Sequence, residues 1–193
     1  MFYICMKLSN INMVNFSKKL VANVSLPENG KYKIYKLDKT DDDVDLYYAS
    51  NSPLWKDSYY LKSATSAFKR VYKKWDYYTL ENDNNDILNF SVFNRTEYPK
   101  NDLMYIETAP RYSFDKNTKR KLKGLGTAMM AFLAIVSKQD NKDLFIPCIG
   151  DGAQSFYTQK CKFKSDNVKS ANLPVNSIDE FVKNSGAKIE IVK

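Results

Sequence analysis

The sequence predicts a single α/β (α+β) domain spanning residues 1–193, built on a mixed, mostly antiparallel sheet with helices on its faces. Three observations predict it. An antiparallel hairpin signature runs over 76–93, and a strand, a loop, a helix and a second strand follow one another over 103–148. No internal repeat, low-complexity tract or interdomain linker breaks the chain. At this length roughly 70% of the unfolded surface is buried on folding, so a core forms without disulfide or metal staples.

Residues 1–30 alternate irregularly and carry no convincing strand. The turn Leu26-Pro27-Glu28-Asn29-Gly30 leads into the first one, over 31–37. Five aspartates between Asp38 and Asp45 read as a loop and the acidic first turn of a helix, or as a patch that attracts a cationic substrate. Beyond the break at Asn51-Ser52-Pro53, Leu61, Ala64, Phe68, Val71 and Trp75 fall roughly on one face of a helix over 54–74.

Strands over 76–80 and 87–93 are joined by the turn Glu81-Asn82-Asp83-Asn84-Asn85-Asp86. The β-branched and aromatic content of 103–109 makes a strand that Pro110 stops. Leu125, Ala128, Met129, Phe132, Leu133 and Val136 form one helical face. Residues 143–148 are a short apolar strand, and parallel pairing with 103–109 through that helix would give a right-handed crossover. Asp151 caps a helix running to about Lys160, and another strand begins over 162–165. Ser177-Ile178-Asp179-Glu180 is a capping box for a last helix that stops near Gly186, before a closing strand over 188–192.

Composition removes several chemistries. The chain has no histidine, which excludes Ser-His-Asp and Cys-His catalysis and leaves metal binding to carboxylates alone. A general base must then be Glu, Asp, Tyr or a solvent relay. Cys5, Cys148 and Cys161 are odd in number and form no C-x-x-C pair, so neither a disulfide framework nor a zinc site is expected. Cys148 and Cys161 lie in apolar segments and read as buried structural residues. Met1 to Met6 is too short for a secretory segment, and no window approaches eighteen apolar residues. The expectation is a soluble, cytoplasmic protein with no membrane partner.

The net charge of +8 is concentrated. Arg111, Lys116, Lys119, Arg120, Lys121 and Lys123 face the single acid Asp115, a local excess of five positive charges. Directly after them Gly124 and Gly126 bracket Leu125 at the start of the helix. Without a Cβ the backbone there can approach an anion closely, while unpaired N–H groups and the positive end of the dipole point at it. This loop is suited to a phosphate or pyrophosphate. It lacks the lysine of a P-loop and the third glycine of a dinucleotide fingerprint.

What remains, Lys121-Leu122-Lys123-Gly124-Leu125-Gly126, resembles the acetyl-CoA loop of the GNAT (N-acetyltransferase) superfamily, [Arg/Gln]-x-x-G-x-[Gly/Ala], with lysine at 121 a mild departure. Downstream, Asp151 to Phe163 looks like that superfamily's A-x-x-[Phe/Leu]-Tyr-x-Lys-x-Gly-Phe segment, with Lys162 in place of the usual glycine and Gly150 where an asparagine is common. The matched part covers roughly 103–163, and the N-terminal half matches only in the order of its elements.

The resemblance implies a fold in which two parallel strands splay around the coenzyme, and transfer of acetyl from acetyl-CoA to an amine in a ternary complex. It implies that main-chain N–H groups from Leu122 to Thr127 hold the pyrophosphate, with charge from Lys121, Lys123, Lys119 or Arg120. The main chain of Ile106 and Thr108 would pair with the pantetheine amides. Tyr157 matches a tyrosine that protonates the departing thiolate or merely positions it. Glu107 is the candidate base, with Glu81 or a water relay as alternatives, and Trp55, Tyr59 and Tyr60 line an acceptor pocket or belong to the core. The acceptor, a small molecule or a protein, is not identified, and no metal is implied. The basic charge keeps nucleic acid open as a partner, including a tRNA-directed, toxin-like acetyltransferase. A non-catalytic module binding CoA or a polyanion is the alternative from another class, and a homodimer is not excluded.

Overall fold

A computed structural model of the protein describes residues 18–27, 30–37, 54–55, 75–109, 124–150, 153–167 and 169–192. Among them the strands are β1 Lys19–Leu26, β2 Gly30–Lys36, β3 Asp76–Glu81, β4 Ile87–Asn94, β5 Lys100–Thr108, β6 Asp143–Ile146, β7 Lys164–Asn167, β8 Ser170–Leu173 and β9 Lys188–Ile191. They form one sheet in the order β7-β8-β6-β5-β4-β3-β2-β1-β9, antiparallel throughout except between β5 and β6. Two α-helices accompany them, α1 Leu125–Gln139 and α2 Ile178–Asn184.

The sheet buries both faces. Tyr78, Leu80, Phe93 and Leu103 point to the face that carries α1, whereas Tyr77, Phe90 and Val92 join Leu37, Trp55 and Ala109 in a second cluster on the other. This explains why β3 is buried along its whole length and why its sequence, Asp-Tyr-Tyr-Thr-Leu-Glu, shows no clean alternation. Trp55 is fully buried and its indole N–H donates to the Ile87 carbonyl at 2.8 Å, so it is a core residue. Tyr59, Tyr60, the acidic run over 38–45 and most of the helix expected over 54–74 lie outside the described residues.

Helix α1 is buried beyond the single face its periodicity predicts: Met130, Ala131 and Ala134 are as enclosed as Met129 and Leu133. The cause lies in the C-terminal segment. β8 is next to one edge of the sheet and β9 forms the other, so residues 174–187 carry the chain across the α1 face. There α2 packs Ile178 and Phe181 into the same cluster.

Several expectations are corrected. β1 and β8 were not expected as strands, and β5 starts at Lys100, ahead of its apolar part. Ser177 precedes α2 but makes no capping bond, because it already ends a 3₁₀ turn over Val175–Ser177 in helical geometry, and its hydroxyl turns to Asn176. Cys148 is exposed, since the chain leaves the sheet at Ile146, whereas Cys161 is buried as expected.

Candidate functional site

The one parallel pair is short. β5 and β6 are in register from Lys100 and Asp143 to Asp102 and Phe145, after which β5 runs on to Thr108 while β6 ends at Ile146. Two local features separate them. Pro147 has no N–H to continue the ladder. On the other strand, Val92 pairs with Tyr105 and Phe93 with Leu103, so Met104 is an extra residue in a bulge that bends β5.

The hydrogen-bond alternation on β5 decides which main-chain groups face away from β4. Ala109 N–H donates to the Leu88 carbonyl at 2.9 Å, which assigns Ala109, Glu107 and Tyr105 to the β4 side. Ile106 and Thr108 therefore turn their main-chain groups away from β4, to the side of β6. Their side chains lie on the α1 face: Ile106 packs on the core there, and the Thr108 hydroxyl accepts from Asn89 Nδ2 at 3.0 Å.

Above this strand end sits the start of α1. Gly124 is its cap with φ +92°, a conformation that favours glycine, and the first helical bond runs from Ala128 N–H to the Gly124 carbonyl at 2.8 Å. No side chain caps the helix, which leaves the N–H groups of Leu125, Gly126 and Thr127 as first-turn donors. A Cβ on Gly126 would lie 3.3 Å from the Thr108 hydroxyl oxygen. The helix start and the strand end are thus in direct contact. Lys121, Leu122 and Lys123 lie outside the described residues.

Tyr157 belongs to a turn of π-helix over Phe156–Lys160, marked by the Cys161 N–H to Phe156 carbonyl bond of 3.0 Å. The segment has one residue more between Tyr157 and Lys160 than the pattern it resembles, and a π turn absorbs one extra residue. Tyr157 packs against Phe156 and Phe163, and burial, with the neighbouring Cys161, pushes its phenol up to about 12. Burial likewise pushes the Cys161 thiol up to about 11. Lys162 has φ +59°, consistent with glycine being usual at that place in the pattern.

Glu107 and Glu81 share the face opposite α1. Cross-strand pairs align Tyr35, Thr79, Phe90 and Glu107 in one row, and the Thr79 hydroxyl donates to Glu81 Oε1 at 2.7 Å. Glu81 is almost fully buried, and its second oxygen accepts from Lys18 Nζ at 2.5 Å, so both its oxygens are engaged. Glu107 is half-buried and accepts from the Tyr105 hydroxyl. Sequence reasoning missed Met104 and Pro147 as the residues that part β5 from β6. Pro147 was legible, since a proline directly after a short apolar strand ends its pairing.

No family model matches the sequence, and no curated protein matches it. Solved structures do. The chain is similar to AtaTR, solved with AcCoA, at 17% identity and TM-score 0.51, over 77% of this chain and 96% of that one. A GNAT-family protein from Desulfovibrio desulfuricans matches at 14% identity and TM-score 0.52, over 75% and 99%. The chain has the GNAT fold. The spermidine/spermine N-acetyltransferase SpeG from Vibrio cholerae shares this GNAT fold at 10% identity and TM-score 0.51, over 77% and 98%. Among the described residues, no helix is long and apolar enough to cross a membrane, and no cluster of His, Cys, Asp or Glu could hold a metal ion.

Proposed function

We propose that the protein is an acyl-CoA-dependent N-acyltransferase that moves acetyl from acetyl-CoA to an amine by direct attack. The observation that carries this reading is the contact between Gly126 and Thr108. It brings the first-turn donors of α1 over the end of β5, beyond the last residue paired with β6. A ligand that pairs with Ile106 and Thr108 as an added strand delivers its phosphates to the N–H groups of Leu125, Gly126 and Thr127. Acetyl-CoA has that length and that order of amides and phosphates. Lys121, Leu122 and Lys123 would complete the anion site.

In the reaction the amine nitrogen attacks the thioester carbonyl carbon, the tetrahedral adduct collapses, and the C–S bond breaks with its electron pair on sulfur. The amine's proton goes to Glu107 directly or through water, because Glu81 already satisfies Lys18 and Thr79. The thiolate takes a proton from Tyr157. A free thiol at about 8.5 would leave that transfer uphill by roughly 5 kcal/mol from a phenol at 12. Holding the thiolate out of water beside Tyr157 narrows that gap, since burial raises a thiol as it raises Cys161.

The test is release of free CoA thiol from acetyl-CoA across a panel of small amines, peptides with free N-termini and lysine peptides. Amine-dependent release lowered in Glu107→Gln and Tyr157→Phe supports the proposal. Activity unchanged in both variants removes their assigned roles, and no release with any amine favours a non-catalytic coenzyme-binding module.

A further inference from the structure

The two edges of the sheet differ. At β7 the ladder with β8 is irregular between Lys164 and Asn167, which blunts that edge. At β9 it is regular: Lys188 to Ile191 pair one for one with Ser25 to Ala22 of β1. Val192 N–H donates to the Val21 carbonyl at 2.9 Å, which assigns Val192, Glu190 and Lys188 to the β1 side. The N–H and C=O groups of Ile189 and Ile191 therefore face outward, in the direction a further strand would take.

The side chains of this edge say what that strand can be. Lys188 and Glu190 are exposed on one face of the sheet, and the β1 residues opposite them, Ser25 and Asn23, are neutral. On the other face Ile189 packs on the α1 cluster, and Ile191 is one of two exposed large hydrophobic residues among the described residues. An edge lysine ordinarily keeps other strands away. Here a glutamate two residues on makes the charge pattern its own complement. With a twofold axis at Ile189, an antiparallel second copy sets Lys188 of each chain opposite Glu190 of the other, and exposed Ile191 opposite Ala187. Moving the axis to Glu190 or to Lys188 also aligns the outward groups, but it sets glutamate against glutamate or lysine against lysine. One register is thus selected by charge.

We propose that β9 is a self-association edge, through which two copies of this chain pair antiparallel about Ile189 and join their sheets. A strand of four residues buries less than the roughly 1,200–2,000 Å² of a stable complex, so the association is weak and concentration-dependent. β9 reaches its place only after residues 174–187 cross the α1 face, and pairing on both sides secures the end of that crossing.

Sedimentation velocity of wild type, Lys188→Glu, Glu190→Lys, the double charge swap and Ile189→Pro tests this. Wild type is expected to show a reversible monomer–dimer equilibrium within about 10–500 μM. Each single reversal sets like charges opposite at two symmetry-related places and weakens the dimer by about tenfold or more. The double swap restores the pairing and returns the dimer to within about threefold of wild type. Ile189→Pro removes an outward N–H that β1 does not use and abolishes the dimer, and the charge swap decides the matter if proline disturbs β9 itself. Wild type that stays monomeric throughout, as it would if a different occupant took the edge, overturns the proposal. So does a dimer that both single reversals leave unchanged, or a double swap that does not recover.

Discussion

Alanine at Gly124 should destabilise the fold, whereas alanine at Gly126 should be close to neutral, although the two residues are separated only by Leu125. At Gly124 an added Cβ meets only Leu26 methyl carbons at 3.8 Å, an ordinary contact, so its cost is in the backbone. Holding an L-residue at φ +92° costs about 1–2 kcal/mol. For a chain of this size that lowers Tm by roughly 2–8 °C. At Gly126 the backbone is helical, and alanine gains up to about 1 kcal/mol in helix propensity, opposed by a 3.3 Å approach to the Thr108 oxygen that Asn89 helps to fix. The two nearly cancel, so Gly126→Ala keeps its Tm within about 3 °C of wild type. Alanine is one of the two residues that the resembled pattern accepts here, and a methyl group removes no main-chain donor, so acetyl-CoA affinity should stay within about threefold of wild type, under roughly 1 kcal/mol. Thermal unfolding by circular dichroism and titration with acetyl-CoA separate the effects. A Gly124→Ala protein as stable as wild type refutes the backbone argument. A Gly126→Ala protein that loses more than about 3 °C refutes the near-cancellation of helix propensity and the Thr108 approach.

Other perturbations follow from the same geometry. Lys18→Met strands the buried Glu81 carboxylate with only Thr79 as donor, and denaturant titration should show a loss of about 2–3 kcal/mol, less than for a fully enclosed pair because Lys18 is partly exposed. Burial raises Asp140, but hydrogen bonds from Arg95 and Asn101 outweigh it and hold the carboxyl below its usual range. A depressed carboxylate stabilises above its unfolded pKa and loses that contribution as pH falls through the folded one. Asp140→Asn should therefore cost at most about 1 kcal/mol at pH 7, discounted for the exposed Arg95, and nothing well below pH 4. Because burial keeps Tyr157 protonated up to about pH 12, the kcat profile should show no Tyr157-dependent fall below pH 11, and Tyr157→Phe should leave the alkaline limb in place. Iodoacetamide at pH 8 should modify Cys148 well before Cys161 in peptide mapping, since one is exposed and the other is a buried thiol raised to about 11.

The elements legible in the sequence were those whose signal is local. The hairpin of β3 and β4 announced itself through its turn, and α1 through its apolar spacing and glycine start. β8, with the sequence Ser-Ala-Asn-Leu, has little intrinsic strand preference and exists because β6 and β7 pair with it on both sides. β1 alternates through Ala22, Val24 and Leu26, but small polar neighbours mute the pattern, and one of its partners, β9, is far away in sequence. The first three residues of β5 are polar, yet Lys100, Asn101 and Asp102 carry the entire parallel ladder, so reading strands from apolar content began too late. In the site, the main-chain direction of Ile106 and Thr108 depends on a parity set by Ala109, and the bulge at Met104 depends on register with β4. Neither is written in residue identity.

The most direct measurement is calorimetric titration of acetyl-CoA into the wild-type protein and into Gly126→Glu, which places a carboxylate among the first-turn donors of α1. Micromolar, one-to-one binding to wild type and none to the variant is the expected result, with the variant still folded by circular dichroism. Wild-type protein that binds no acetyl-CoA, or a folded variant that binds it as tightly as wild type, contradicts the account.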